Sequence, residues 1–559
     1  MKLRRAFLIA LIPTGAFGQA APRGFAPADF WTLRRSADSI ADAGDAAHAA
    51  PLYRRLVQAD SGDVQLWLRL GNTELALHRL SPAESAFVHV FTGGFFRAFV
   101  ARQIARIAAE RGDKPAALAW LDSALAHGMA SRASFQRDSA FLAYRDDERF
   151  RAIAGMLPRR TFSRAEGWRY DIRFFVAEAR RIHTGFERPA YSPAFAGAAA
   201  ELERRIPVLT DAGILAGLQH LAMLLDDGHS GVYRRTLAAG HTRLPVDLYA
   251  FEDGIYVVGA RADHRDLVGS RVTRIGRLAP GAATLALEPY VPRDNAMRLL
   301  AVGVPALLTY PFQLQVIGAV DDTSGVPFAL EDPDGRARVV HLVGDDPRAP
   351  QVLLMPRDTG MSNPLWLRNV STTIWMTSLP DEHALYVQYN AVADASGEPI
   401  AQFAGRLHRA LGDSSVRELI VDVRRNRGGN SLLNAPLHLA MFAFAQASPR
   451  HRIWILAGRH TFSAAQNFVN YLERFTNAVF VGEPTGSRPN FTGENGEVVL
   501  PYSGVIAEIS NANHWSAYWE DQRPWIAPAV PVALRAADYF SNRDAALDAV
   551  KAMIRRGGD

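Results

Sequence analysis

The 559-residue chain contains no cysteine. That absence excludes disulfides, thiolate metal sites, a cysteine nucleophile and a lipid-modified cysteine anchor. Long apolar runs are missing too: beyond the N-terminus no segment reaches 18 uninterrupted apolar residues, so no membrane span is expected in the mature chain. There is no long basic run either. The formal charge of +5 falls by three if the segment carrying Lys2, Arg4 and Arg5 is removed, which leaves no electrostatic footprint for nucleic acid. What is present, 48% hydrophobic and 21% charged residues, is the composition of an ordinary globular protein. At this length a single core does not suffice, and roughly two to four domains are expected.

Residues 1–20, MKLRRAFLIALIPTGAFGQA, read as a secretory signal peptide. A basic start precedes an apolar stretch from Ala6 to Phe17, and small residues at Gly18 and Ala20 suit cleavage after Ala20. An exported chain of this size without disulfides suggests a bacterial periplasmic or extracellular enzyme rather than a small stapled scaffold.

Residues 27–157 are rich in alanine at helical spacing. Trp67, Leu70, Gly71, Ala83 and Phe87 fall in the pattern of tetratricopeptide repeats. A shift of one repeat period reaches Ala101, Ile104, Ala105, Ala117 and Leu121, and the opposite shift reaches Ala49 and Tyr53. Such an array resembles a platform for an adaptor protein or for the adjoining domain, although a plain helical bundle fits the same spacing. Residues 163–235 remain helical as far as Asp226-Asp227-Gly228, which leaves His229 in the loop GHSGVY. The region 236–375 alternates short apolar runs with turns and is expected to be β-rich; LVGSRVTRIGRLAPGAATLAL resembles part of a PDZ domain, a module that binds chain termini by strand addition.

From 380 to 552 the pattern becomes strand–helix–strand. ELIVDV is a continuous apolar strand, as expected when both sheet faces are covered, and it runs into Arg424-Arg425-Asn426-Arg427-Gly428-Gly429. IWILAG leads into GRHTFSAAQNF, where Ser463-Ala-Ala-Gln466 fits the S-x-x-Q capping box. A serine at that strand-to-helix turn also has a second reading. It lies near the positive helix end with the Ala464 N–H close by, and the glycine pair can supply another donor, which together make the parts of an oxyanion hole for acyl transfer.

In order, DVRRNRGG, TFSAAQNF, VGEPTGSRPN and LPYSG resemble the S41 peptidases, the tail-specific or C-terminal processing proteases. The resemblance implies an α/β fold whose catalytic domain is a crotonase-like (ClpP/crotonase-type) β-β-α sandwich. It implies Ser463 as nucleophile, Ala464 with Gly428 or Gly429 as oxyanion hole, a peptide or protein substrate, and no metal or organic cofactor. Many members carry a lysine in the turn that here reads GEPTGSRPN, where Arg488 stands instead. An arginine does not deprotonate, so Arg488, like nearby Asn490, is expected to bind substrate or to stabilise the turn. The tricorn-like branch of the family uses a histidine base oriented by a later acidic residue. On that resemblance His229 takes the base position and Asp521 or Glu520 the orienting one, with His460 as the rival base. The alternatives are a catalytically weak or inactive relative that binds peptides, and a hydrolase of non-peptide esters or amides.

Overall fold

A computed structural model describes residues 27–185, 188–232, 242–345 and 363–557. The signal peptide expected at 1–20 lies outside the described residues. The chain divides into two compact units, one comprising the described residues up to Met129 together with Ser134–Ala154, the other Ala130–Ala133 and everything from Gly155 onward.

The first unit is helical, with helices Pro27–Asp42, Ala46–Ala59, Val64–Ala76, Leu80–Thr92, Arg97–Glu110 and Lys114–Ala126. Three of them begin at an aspartate: Asp45 accepts from the His48 N–H, Asp63 from those of Gln65 and Leu66, and Asp113 from that of Ala116. Each cap satisfies donors that the first turn leaves open. Of the positions singled out by the repeat pattern all but the half-buried Trp67 are buried, including Ala49, Tyr53, Ala83, Phe87, Ala101, Ile104, Ala117 and Leu121. Gly71 shows why size matters, since a Cβ there would lie 2.7 Å from the Phe87 ring.

The second unit is mixed α/β, and its described residues form three sheets. Helices Arg164–Ile182, Pro193–Arg205 and Asp211–Met223 share a core with the hairpin of β12 (Asn490–Val499) and β13 (Ile506–Trp515), in which Trp168, Ile172 and Leu218 meet Val498, Leu500 and Ile509. The short strand β1 (Gly231–Val232) extends that hairpin antiparallel to β13. The helical region at 163–235 therefore folds together with chain found almost 300 residues later, a union that local periodicity does not reveal.

The β-rich region forms an antiparallel sheet of β2 (Val246–Phe251), β3 (Gly254–Ala260), β4 (Arg271–Ile275), β5 (Val326–Glu331) and β6 (Ala337–Leu342) around its own core. The last sheet has the order β14-β11-β10-β9-β8-β7. Its strands are β7 (Ile374–Leu379), β8 (Ala384–Tyr389), β9 (Glu418–Asp422), β10 (Arg452–Ala457), β11 (Val479–Gly482) and β14 (Val530–Pro531). All pair in parallel except β7, which is antiparallel to β8.

Alternation within these strands decides which face each side chain joins. Leu385, Leu419 and Ile453 pack under helices Ile400–Leu411, Ala435–Ala447 and Ala464–Phe475, whereas Tyr386, Ile420 and Trp454 pack under helix Ala545–Gly557. Both faces are covered, which is why ELIVDV carries no polar alternation. Parallel strands bring the loops after β9, β10 and β11 to the same edge of the sheet, and the motifs that suggested chemistry lie there. Among the described residues no helix is long and apolar enough to cross a membrane.

Candidate active site

Ser463 follows β10 and immediately precedes helix Ala464–Phe475 with φ +57° and ψ −123°. A non-glycine residue rarely adopts such angles, and here neighbouring segments impose them. The Ser463 N–H donates to Ser487 Oγ at 3.1 Å, the Phe462 N–H to the Asn426 carbonyl at 3.2 Å, and Thr461 Oγ1 to the Val423 carbonyl at 3.0 Å. The capping box expected from Ser463 and Gln466 does not form. Ser463 makes no side-chain cap bond, while Gln466 turns its Nε2 to Asn470 Oδ1 at 2.8 Å. An N-cap serine needs extended backbone angles, and the positive φ directs the hydroxyl away from the helix amides.

The glycine turn lies against this serine. A Cβ on Gly428 (φ +98°) would sit 2.7 Å from Ser463 Cβ and 2.9 Å from the Ala464 nitrogen, and one on Gly429 (φ +141°) would sit 2.2 Å from the Val392 carbonyl oxygen. Only glycine fits either place. The Gly428 N–H donates to Asn426 Oδ1 at 2.9 Å, whereas the Gly429 and Ala464 N–H groups donate no hydrogen bond among the described residues. At its start the turn is anchored by Arg424, which bridges Asp422 and Asp544 at 2.5 and 2.7 Å.

His229 stacks on Phe462, the residue directly before Ser463, with ring centroids 4.5 Å apart, and on Phe491 at 5.4 Å. Both ring nitrogens are buried, and among the described residues no side chain is hydrogen-bonded to them. Burial pushes the pKa down to about 4, against the pull of the Asp227 carboxylate. Asp227 itself is fully buried and organises the loop. It accepts from His183 Nε2 (2.9 Å), Ser230 Oγ (2.7 Å), Ser510 Oγ (2.8 Å) and the His229 N–H (2.7 Å). Burial pushes this carboxyl up, but His183 and the Ser230 bonds outweigh it and hold it low.

The orienting carboxylate expected at Asp521 or Glu520 does not reach the ring. Asp521 grips Arg523 at 2.7 Å, which in turn holds Glu473 at 2.8 Å, and Glu520 is exposed. Asp521 satisfies a neighbour two residues away, and that local pairing removes it from the role. Arg488 and Asn490 both bond within the protein. Arg488 donates its Nε to the Asp294 carbonyl (2.9 Å) and its terminal nitrogens to Asp226 (3.1–3.2 Å). Asn490 donates to the Tyr518 carbonyl at 2.6 Å and accepts from the Ala517 N–H at 3.3 Å.

Asp294 is a site residue that the motifs did not indicate. Its Oδ1 accepts the Gly228 N–H at 2.8 Å, and burial followed by the Asp227 charge pushes its pKa up to about 6, against the pull of Arg488 and of the bonds from Gly228 and Ser487. Asn295 beside it donates to the Thr485 and Pro524 carbonyls at 3.1 and 2.7 Å, joining this segment to the turn that holds Ser487. Arg298 lies 3.9 Å above the Phe462 ring. The rival base His460 stands elsewhere, on the wall of a separate cavity.

No protein-family model matches the chain. No curated protein matches it. Among solved structures, mature CPAF complexed with lactacystin aligns with a TM-score of 0.50 at 13% identity, over 71% of this chain and 99% of that one. Over that 71% the chain has a fold like that of CPAF. A serine-to-alanine mutant of CPAF aligns equally well, with a TM-score of 0.50 at 12% identity over 70% of this chain and 97% of the other. The photosystem II D1 C-terminal processing protease aligns more loosely, with a TM-score of 0.33 at 12% identity over 65% and 93% of the two chains. The CPAF-like fold agrees with the S41 resemblance carried by the motifs.

Proposed function

We propose that the protein is a serine-type peptidase of the S41 kind, built on a crotonase-like sandwich and exported from the cell. Ser463 attacks the peptide carbonyl. His229 takes the hydroxyl proton and returns it to the leaving amine, and the Ala464 and Gly429 amides receive the oxyanion. Of the two glycines, Gly429 is the better donor because the Gly428 N–H is already held by Asn426. The tetratricopeptide-like unit holds an adaptor or the substrate protein, and the β-rich sheet takes the PDZ-like part.

The observation that carries this reading is the backbone of Ser463. A strained turn, held from outside by Ser487 and Asn426, takes Ser463 out of the cap geometry and sets it directly after Phe462, on whose ring an imidazole that is neutral at pH 7 is stacked. A fluorophosphonate probe tests it: wild type should label and Ser463→Ala should not. Equal absence of labelling in both removes the peptidase assignment. One observation favours the alternative of a peptide-binding relative, namely that no carboxylate reaches the His229 ring. That reading expects peptide affinity that persists in Ser463→Ala, without turnover in either protein.

A further inference from the structure

The ring of His229 is aimed by packing. It stacks on Phe462 and on Phe491, and a Cβ built on Gly493 would lie 3.3 Å from its Cε1 and 3.4 Å from its Nε2. These contacts fix the plane of the imidazole, but they bring it no charge. An imidazole that takes a proton in a buried place becomes a desolvated cation, and apolar rings do little to offset that cost.

Asp227 stands at the root of the same loop, where its Oδ1 accepts the His229 N–H at 2.7 Å. Its remaining bonds also come from donors: the Ser230 N–H at 2.5 Å, Ser230 Oγ, Ser510 Oγ and His183 Nε2. The Gly185 N–H donates to His183 Nδ1 at 3.3 Å, so that nitrogen is the acceptor and the ring proton sits on Nε2. His183 thus gives Asp227 a hydrogen bond rather than a cation, and the buried carboxylate keeps its negative charge. Inside a protein such a charge acts over several ångströms. Two groups feel it: it pulls the His229 pKa up against burial, and it adds to the rise at Asp294. Arg298, above Phe462, and His514, stacked on Phe491 at 4.6 Å, act on His229 in the opposite sense. Glu494 faces His514 at 3.6 Å, and Arg488 is held by Asp226. Asp294, on the Gly228 N–H, has a pKa of about 6 and is protonated where His229 titrates.

We infer that Asp227 is a positioning residue of the proposed reaction, acting through space as the counter-charge of His229 while that ring is a cation; this rests on the peptidase reading. A Ser–His–acid triad gives aim and counter-charge to one carboxylate bound to the imidazole. Here the two tasks are divided, with Phe462, Phe491 and Gly493 aiming the ring and Asp227 supplying the charge. As Ser463 Oγ bonds to the carbonyl carbon, its proton passes to His229, so positive charge appears on the ring and negative charge on the carbonyl oxygen. When the C–N bond breaks, the proton leaves on the amine and the ring is neutral again. Asp227 stays ionised throughout and favours the interval in which the ring is charged.

Two measurements on the full-length protein test this. In Ser463→Ala, where no acyl transfer runs, the His229 Cε1–H resonance, assigned by its loss in His229→Gln, should titrate near pH 4. Adding Asp227→Asn should lower that midpoint by about one unit or more. Adding Ser510→Ala instead removes one donor from the carboxylate, leaves its charge less compensated and should raise the midpoint by about half a unit. A loop that is merely loosened does not move the ring in opposite directions, and Ser510→Ala covers the case in which Asp227→Asn does not fold. With Ser463 present, fluorophosphonate labelling at pH 7 should slow about tenfold or more in Asp227→Asn. A midpoint that Ser510→Ala leaves unmoved, or labelling of folded Asp227→Asn at the wild-type rate, overturns the inference. If wild type does not label while both shifts appear, the peptidase reading fails and the coupling of Asp227 to His229 stands.

Discussion

Arg488 holds Asp226, three residues before His229, through both terminal nitrogens at 3.1–3.2 Å, while its Nε holds the Asp294 carbonyl at 2.9 Å. Asp226 has φ +55°, an uncommon angle for a residue with a side chain, so the loop that presents His229 is pinned at a strained point. Arg488 thus joins the serine-side turn to the histidine-side loop. Arg488→Lys keeps the charge but loses the fork, and it should lower kcat/KM about tenfold without adding a new ionisation to the pH profile. Because the Asp226 carboxylate is 67% exposed, the stability change should be small, within about 1 kcal/mol. A lysine variant more active than wild type, with a new basic limb, shows that the position still accepts a general base.

In the proposed mechanism His229 sets the acid side of the rate profile. Its folded pKa of about 4 lies below the ordinary 6.5, so the imidazole stays neutral and able to accept a proton far into the acid range. The acid limb of kcat/KM should fall near pH 4 rather than near 6.5. The same shift contributes stability that is complete above pH 6.5 and is lost as pH falls through 4. His229→Gln should abolish turnover and flatten that part of the stability curve, measured by denaturant unfolding at several pH values.

Asp294 has the opposite dependence. Its folded pKa, about 6, is raised above the ordinary 3.8, so the folded state favours the protonated acid. The stability this contributes is present below pH 3.8 and is lost as pH rises through 6, a change of about 3 kcal/mol at most. Asn keeps the acceptor for the Gly228 N–H and removes the charge. Asp294→Asn should therefore match wild type at pH 4 and exceed its stability at pH 7.5, with the crossover between pH 4 and 6. An unchanged difference across that range shows that Asp294 does not titrate there.

What the sequence displayed well was local. The apolar runs at 385–389, 418–423 and 453–457 are strands buried on both faces, and the glycine pair and Ser463 meet because parallel strands bring their following loops to one edge. The misreadings came from bonds that the motifs do not announce, some distant and some local. Ser463 with Gln466 has the form of a cap, but Ser487, 24 residues away, and Asn426 draw the serine into a positive φ that no cap adopts. Asp521 has the right residue type in the right segment, yet Arg523 claims it. Asp294 carried no signal at all, because its proximity to Gly228 and Ser487 depends on how the β-rich region folds back onto the catalytic loops.

The contact between Gly428 and Ser463 separates backbone strain from a catalytic requirement. An alanine at 428 must tolerate φ +98° and place its methyl 2.7 Å from Ser463 Cβ, so the nucleophile turn has to move. Gly504 has a comparable φ of +72° with nothing within 4 Å of a built Cβ, so alanine there incurs the backbone strain alone. Both substitutions should cost stability, roughly 1–3 kcal/mol each, with Gly428→Ala at the upper end. Only Gly428→Ala should also depress fluorophosphonate labelling, by about a hundredfold or more, since displacement of Ser463 and the Ala464 amide disrupts attack and oxyanion binding together. Labelling rates at equal folded fraction make the comparison. If Gly428→Ala labels as fast as Gly504→Ala, the glycine turn serves the fold and not the reaction.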